Sequence, residues 1–331
     1  MLGEDSALFF KHFTLSGPHG WEGKPIVHQS EAQQTQSVVD RDQLIPLKAK
    51  LLAAREQRIR PGRDGKALTD WNGLMIAALA EAGRSLGRAD WIDAAATAFA
   101  YIADAAHDGR LPHSMLGSKK LFPALSSDYA AMTNAAIALF EATGDSAYVD
   151  RARQFIAQLD RWHQDAEGTG YFLTASDSTD VPIRTRGDVD EAITSASGQI
   201  IEALVRLASV TADLDFAERA WKVAEHAAGR AAHQPYGQAG IVNACALALE
   251  PLKLVLIDNL RDPGLIPVAN RSPDPRRVDI VAEIGSVANR PTLPGGVLPS
   301  TDKAGAWLCT GQVCLPAVTD PKELGRLLRR R

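Results

Sequence analysis

Apolar and polar positions repeat at helical spacing in three long segments of one design. Residues 74–105 read LMIAALAEAGRSLGRADWIDAAATAFAYIADA. Residues 129–159 read YAAMTNAAIALFEATGDSAYVDRARQFIAQL, and residues 198–227 read GQIIEALVRLASVTADLDFAERAWKVAEHA. Each is an Ala/Leu-rich helix, a short polar turn, an aromatic, and a second Ala-rich helix. The aromatics are Trp91, Tyr148 and Phe216, so the unit recurs after 57 and then 68 residues. Alanine is the strongest helix former, and its small side chain lets helix axes approach closely. Repeated helical hairpins with small residues at their contacts predict stacked helix pairs, open or closed into a ring. The three hairpins are expected over about 70–107, 127–163 and 197–232.

Around the hairpins the pattern changes. A short helix is expected over 5–12, capped by Asp5 or Ser6, and a longer one from about Leu44 to Arg58. The stretch from Thr14 to about Asp42, rich in Gly, Gln and Ser, reads as irregular, with its WEGK run and Pro25-Ile-Val forming an ordered loop or short strand. Between the second and third hairpins, residues 171–174 (YFLT) and 181–184 (VPIR) flank a Ser/Asp turn and predict a β-hairpin insertion. A further helix is expected over about 238–250. Beyond it Pro and Gly become frequent, and KLVLIDN, VDIVAEI and AWLCT read as short strands before a last helix from about Pro321 to Arg329. The expected fold class is mainly α: an (α/α)-hairpin toroid over 1–250 and a small α/β appendage over 251–331.

Composition narrows the function. The 331 residues carry a net charge of −4 and no basic stripe, so nucleic acid has no electrostatic invitation. No apolar run reaches the roughly 20 residues that span a bilayer, and the start MLGEDSALFFKHF is too acidic for a signal peptide. Three cysteines, an odd number in a long chain, suit a reducing compartment, and the expected location is cytoplasmic. The eight histidines show no metal-ligand spacing, so neither a metal nor a cofactor is expected. Cys309 and Cys314 form a C-x4-C that reads as two inert thiols or, across a turn between strands, as a disulfide.

If the hairpins wind about one axis, the first helix of each lines the inside and all first helices start at one rim. Those starts read Thr69-Asp70-Trp71-Asn72, then Ser126-Ser127-Asp128-Tyr129, then Asp190-Glu191 followed by Thr194-Ser195-Ala196-Ser197. Before the last helix come His233, Gln234, Tyr236 and Gln238. A concave rim bearing carboxylates and aromatics suits a sugar: rings stack on its apolar face and acids bond its hydroxyls, while paired carboxylates serve acid–base chemistry. The candidate catalytic residues are Asp70, Asp128 and Asp190, and the candidate substrate contacts are Trp71, Asn72, Tyr129, Glu191 and Tyr236. Asp and Ser at helix starts also fit plain capping. A non-enzymatic helical-repeat scaffold holding a protein partner is the alternative function.

Several runs together resemble one family. Residues 50–84 (KLLAAREQRIRPGRDGKALTDWNGLMIAALAEAGR), 126–145 (SSDYAAMTNAAIALFEATGD), 20–28 (GWEGKPIVH) and 309–324 (CTGQVCLPAVTDPKEL) are similar to the YyaL-type proteins, relatives of the spermatogenesis-associated thioredoxin-domain proteins. The resemblance implies an N-terminal thioredoxin-like domain, absent from this chain, followed by a toroid similar to six-hairpin glycosidases and N-acylglucosamine 2-epimerases. It thereby implies a carbohydrate-related fold. About nine helices stand where a six-hairpin ring needs twelve, so the toroid is expected to be incomplete. A carbohydrate ligand, and a second copy or a missing N-terminal half, are the expected partners. Where the family has a PSGN-type turn this chain has Ser195-Ala196-Ser197-Gly198-Gln199, lacking the Pro and Asn.

Overall fold

The computed structural model describes residues 1–16, 21–29, 38–272, 274–285, 293 and 299–329. Of the expected irregular stretch from Thr14 to about Asp42, residues 17–20 and 30–37 lie outside them; the WEGK run forms a 3-10 turn at Trp21–Gly23, and a short strand follows at Val27–Gln29. Contacts divide the chain into two compact units, Met1–Gly65 and Lys66–Arg331. The first holds α1 (Ser6–His12), the antiparallel pair β1 (Phe13–Leu15) and β2 (Val27–Gln29), and α2 (Val38–Glu56). Its small core joins Phe9, Leu44 and Leu47.

The second unit opens with β3 (Ala67–Leu68) and the first hairpin, α3 (Thr69–Leu86) with α4 (Ala89–Ala103). Then come β4 (Ser114–Leu116) and β5 (Lys119–Leu121), followed by hairpins α5 (Ser126–Thr143) with α6 (Ala147–His163) and α7 (Ala196–Thr211) with α8 (Leu214–Ala231). A single helix, α9 (Ala239–Leu249), follows them. The first helices form a row, α3 beside α5 beside α7 beside α9, and α4, α6 and α8 each pack against the first helix of their own hairpin. The row is parallel. Asn134 in the middle of α5 donates to Gln199 early in α7, and Glu141 meets Arg206 the same step further along each helix, so α5 and α7 run parallel. The Asp70 N–H bonds Asp128 at the starts of α3 and α5, and Gly198 abuts Gly240 at the starts of α7 and α9, so these starts lie along one edge, the geometry the repeat predicts.

The row is tight because glycine sits where axes come nearest. A Cβ on Gly73 of α3 would lie 2.8 Å from the Cβ and carbonyl carbon of Ala131 in α5, and one on Gly198 of α7 would lie 2.8 Å from the backbone of Gly240 in α9. We expect Gly73→Ala to cost about 1–3 kcal/mol of unfolding free energy, the range for an overpacked core. Gly229→Ala, where a Cβ meets nothing within 4 Å, is the control on the same denaturant titration and should be neutral or stabilising. The α5 helix is buried on nearly every side, from Ser126 to Leu139, as a central inner helix must be.

The β-hairpin insertion stands elsewhere than expected. It is β4–β5, with β3 pairing β4 to complete a three-stranded sheet between the first two hairpins. Residues 171–184 form no hairpin: their ladder is reduced to an isolated bridge, Gln164 with Tyr171. A few backbone bonds remain, Leu173 N–H to Thr185 C=O and Phe172 N–H to His163 C=O among them, and arginine side chains add to them. The Arg184 guanidinium donates to the carbonyls of Thr174 and Trp162, and Arg186 pairs with Asp165 at 2.8 Å. The segment is an arginine-stitched loop that crosses to the start of α5, where Ser126 N–H donates to Leu173 C=O.

After α9, β6 (Leu252–Asp258), α10 (Ile266–Asn270), β7 (Arg277–Glu283), β8 (Gly305–Thr310), β9 (Val313–Cys314) and α11 (Pro321–Leu328) complete the unit. The strands make one sheet in the order β7-β6-β8-β9, with β6 and β7 parallel and the other pairs antiparallel. One sheet face packs Leu254 and Leu256 against α10 and α11, and the other packs Val255 and Ile280 toward Phe140 and Val210 of the inner helices. The expected boundary near residue 250 is bridged within this unit by Arg84–Asp279 at 2.6 Å and by the Asp279 N–H donating to Glu141. Cys309 faces Cys314 across β8–β9 in a disulfide, and Cys245 is a free thiol.

Candidate functional site

Asp70 and Asp128 start adjacent inner helices and meet there. The Asp70 N–H donates to Asp128 Oδ1 at 2.9 Å, and the Leu125 N–H donates to Asp128 Oδ2 at 2.7 Å. Asp128 thus caps its own helix and fastens the next one to it. The Asp70 carboxylate accepts from the Trp71 N–H at 2.8 Å and from the Ser127 hydroxyl at 3.4 Å.

A residue that the sequence pattern did not single out as a site residue completes this cluster. His113 Nδ1 lies 2.9 Å from Asp128 Oδ2, with its side chain about one quarter exposed. Its placement follows from the β3–β4 pairing. Leu68 faces Ser114, the Thr69 N–H donates to His113 C=O, and the Thr69 hydroxyl donates to Pro112 C=O. The imidazole is therefore held at the start of α3 by two strands forty-odd residues apart in sequence. No local motif announces that pairing.

Both groups of this pair are shifted upward. Burial drives the Asp128 carboxyl up to about 6, although its bond with His113 pulls the other way. The hydrogen bond to Asp128 raises His113 above its ordinary value against a smaller effect of burial, and Asp70 adds to the rise. With Nδ1 on Asp128, ring nitrogen Nε2 is the one left for other partners, and an imidazole so anchored suits proton transfer. Asp128 is 0% exposed and holds the ring in place without reaching a ligand itself.

The other expected site residues divide clearly. Trp71 is 55% exposed beside Asp70. Asn72 is half-buried and donates through Nδ2 to Leu68 C=O. Tyr129 is wholly buried, with its hydroxyl 3.3 Å from the Leu111 N–H and its ring edge-on to His163. It offers no platform, because a position one residue past Asp128 on the helix turns toward the core. Asp190 accepts the Ser195 N–H and the Gly240 N–H, each at 2.8 Å, so it ties together the starts of α7 and α9 further along the same edge. These bonds hold its carboxyl below the usual range although burial opposes them. Glu191 and Tyr236 are exposed. Among the described residues no group of three or more His, Cys, Asp or Glu is arranged to hold a metal ion, and no helix is long and apolar enough to cross a membrane.

No family model matches the chain. It is 27% identical over 299 residues to human spermatogenesis-associated protein 20, covering 84% of this chain and 38% of that protein. An uncharacterised Caenorhabditis elegans protein is 29% identical over 178 residues, covering 50% of this chain and 24% of that one. The chain spans about two fifths of the length of the mammalian relatives it matches. Among solved structures it is similar to cellobiose 2-epimerase from Bacillus thermoamylovorans, at 14% identity and TM-score 0.43 over 50% of this chain and 45% of that one. A family 76 α-mannanase from Bacteroides thetaiotaomicron gives 13% identity and TM-score 0.45 over 55% and 52%. Over most of its own length, then, the chain is a sequence relative of spermatogenesis-associated protein 20.

Proposed function

We propose that the edge formed by the inner-helix starts binds a carbohydrate, with His113 as the proton-transfer group. One observation supports this most: a partly exposed imidazole anchored by Nδ1 to a fully buried carboxylate, beside a second carboxylate and an exposed indole. Asp70 accepts hydrogen bonds from sugar hydroxyls, Trp71 stacks on the apolar face of a ring, and His113 Nε2 exchanges a proton with the sugar. Asp128 is the positioning residue, and Asp190 serves the helix starts. This arrangement suits binding and acid–base chemistry on a neutral sugar better than double-carboxylate hydrolysis, because Asp128 is enclosed. The test is a thermal-shift panel of neutral mono- and disaccharides built from glucose and mannose. At least one sugar should raise the melting temperature of the wild-type chain, and His113→Ala and Trp71→Ala should each abolish the rise. A panel with no shift, or shifts untouched by both substitutions, overturns the proposal.

A scaffold role for a protein partner, or for a second copy or an N-terminal half, has its own support. The helices at the two ends of the inner row, α3 and α9, expose Trp71 and Met75 on one side and Val242 and Leu249 on the other. Apolar residues on such flanks favour association. A monodisperse monomer in light scattering at all concentrations would remove self-association from this reading.

A further inference from the structure

At the opposite end of the inner row from the helix starts lies a cavity of about 530 Å³. It is built where α7 ends, α8 begins, α9 ends and β6 starts, and the β8–β9 turn closes its far side. Ala208, Ala217 and Trp221 supply apolar wall, while Ser209, Asp213, Lys253 and Gln312 bring polar side chains. The size falls within the range of small-molecule sites, and a mostly apolar lining with few polar groups is their usual character. The wall is fixed on the sheet side. The Gly311 N–H donates to Pro251 C=O at 3.0 Å, and the Cys309–Cys314 disulfide closes the turn that carries Gln312.

We propose that this cavity binds a small amphipathic anion, an apolar ring or chain bearing one carboxylate or sulfonate, whose charge meets the Lys253 ammonium. Lys253 is 6% exposed, and it stands two residues before Val255, hence on the sheet face turned to the helices. An ammonium has three N–H donors and accepts an added anionic partner without surrendering those it already has. Burial has pushed Lys253 down to about 8, so an anion at its side would restore much of what desolvation took from the charged form. The other charged group of the lining, Asp213, already caps α8 by accepting the Asp215 N–H at 3.0 Å. The occupant is therefore anionic at one end and apolar along its body.

Two dyes with the same rings and different charge test this on the intact chain. Anilinonaphthalene sulfonate is an amphipathic anion, and N-phenylnaphthylamine is its uncharged counterpart. Fluorescence titration should show one saturable site for each. Ala217→Trp and Gln312→Trp, which fill the cavity from opposite walls, should each weaken both dyes by about tenfold or more. Lys253→Met should weaken the sulfonate by about tenfold and leave the neutral dye within about twofold, as expected for a lost charge-assisted contact. Lys253→Gln repeats the comparison should the Met variant not fold, with circular dichroism as the check. Absence of a saturable site, indifference of both dyes to both filling substitutions, or equal effects of the lysine substitutions on the two dyes overturns the proposal.

Discussion

Arg206→Met is expected to lower the unfolding free energy of the Lys66–Arg331 unit by about 3–5 kcal/mol, the usual cost of leaving a buried charge without its partner. Arg206 bonds Glu141 at 2.6 Å, with both side chains almost fully enclosed. Glu141 also accepts the Asp279 N–H, and Asp279 in turn holds Arg277 at 2.5 Å and Arg84 at 2.6 Å. Helices α3, α5 and α7 are thereby locked to strand β7 through a chain of charges in an apolar setting. Burial alone would lower Arg206, but the surrounding carboxylates of Glu141, Glu202 and Glu81 outweigh it and keep the guanidinium charged. Glu141 feels the opposite balance and is raised, burial outweighing the two arginines. The controls are Glu202→Ala and Glu81→Ala, whose carboxylates touch Arg206 from more exposed positions at 3.4 and 3.5 Å. Each should cost under about 1 kcal/mol, as surface pairs do. Urea unfolding of the three variants checks the ranking, and an Arg206→Met effect no larger than the controls would show that the network contributes little.

Asp128→Ala should be comparably damaging, at about 3 kcal/mol or more. It strips acceptors from the buried Asp70 N–H, from the partly buried Leu125 N–H and from the His113 ring, and an orphaned buried donor costs about 1–3 kcal/mol. The wild-type pair also carries a pH signature. The Asp128 carboxyl rises from 3.8 to about 6 on folding, burial being the main cause, and His113 rises from 6.5 through its bond to Asp128. Both shifts mean that the folded chain holds protons more tightly than the unfolded one. Stability from this pair is therefore greatest at low pH. It decreases as pH climbs from 3.8 through about 6 for the carboxyl, and from 6.5 through the higher folded value for the imidazole. Relative to the double variant Asp128→Asn with His113→Gln, the wild-type melting temperature should fall between about pH 5 and about pH 8, the range over which histidine changes charge. Parallel curves for the two proteins would mean that folding does not raise the proton affinity of this pair.

How far the sequence reveals this molecule depends on the length scale of the signal. The hairpins are legible because Ala/Leu periodicity runs for two full helices at a time, and 70–107, 127–163 and 197–232 correspond to α3–α4, α5–α6 and α7–α8. The meeting of Asp70 with Asp128 is legible because parallel inner helices share a starting edge. His113 is not, because its position depends on Leu68 pairing with Ser114 across an entire hairpin. Tyr129 misleads for the opposite reason: it is next to the right residue, but one step along a helix turns a side chain by about 100°, here into the core. The loop at 164–195 carries strand-like residues but lacks the alternating polarity of a half-buried strand, and scattered backbone bonds together with the Arg184 guanidinium take up its polar groups instead of a ladder.

Isothermal titration calorimetry of the wild-type chain and of Asp70→Asn with the same glucose and mannose saccharides tests the account most directly. Asp70, 6% exposed, does not carry the Asp128 fastening through its side chain, and Asn keeps an acceptor for the Trp71 N–H, so the variant should fold normally. Saturable heat in the wild type that disappears in Asp70→Asn is the expected result. Saccharides that bind neither protein, or bind both alike, would mean that these aspartates do no more than hold helices together.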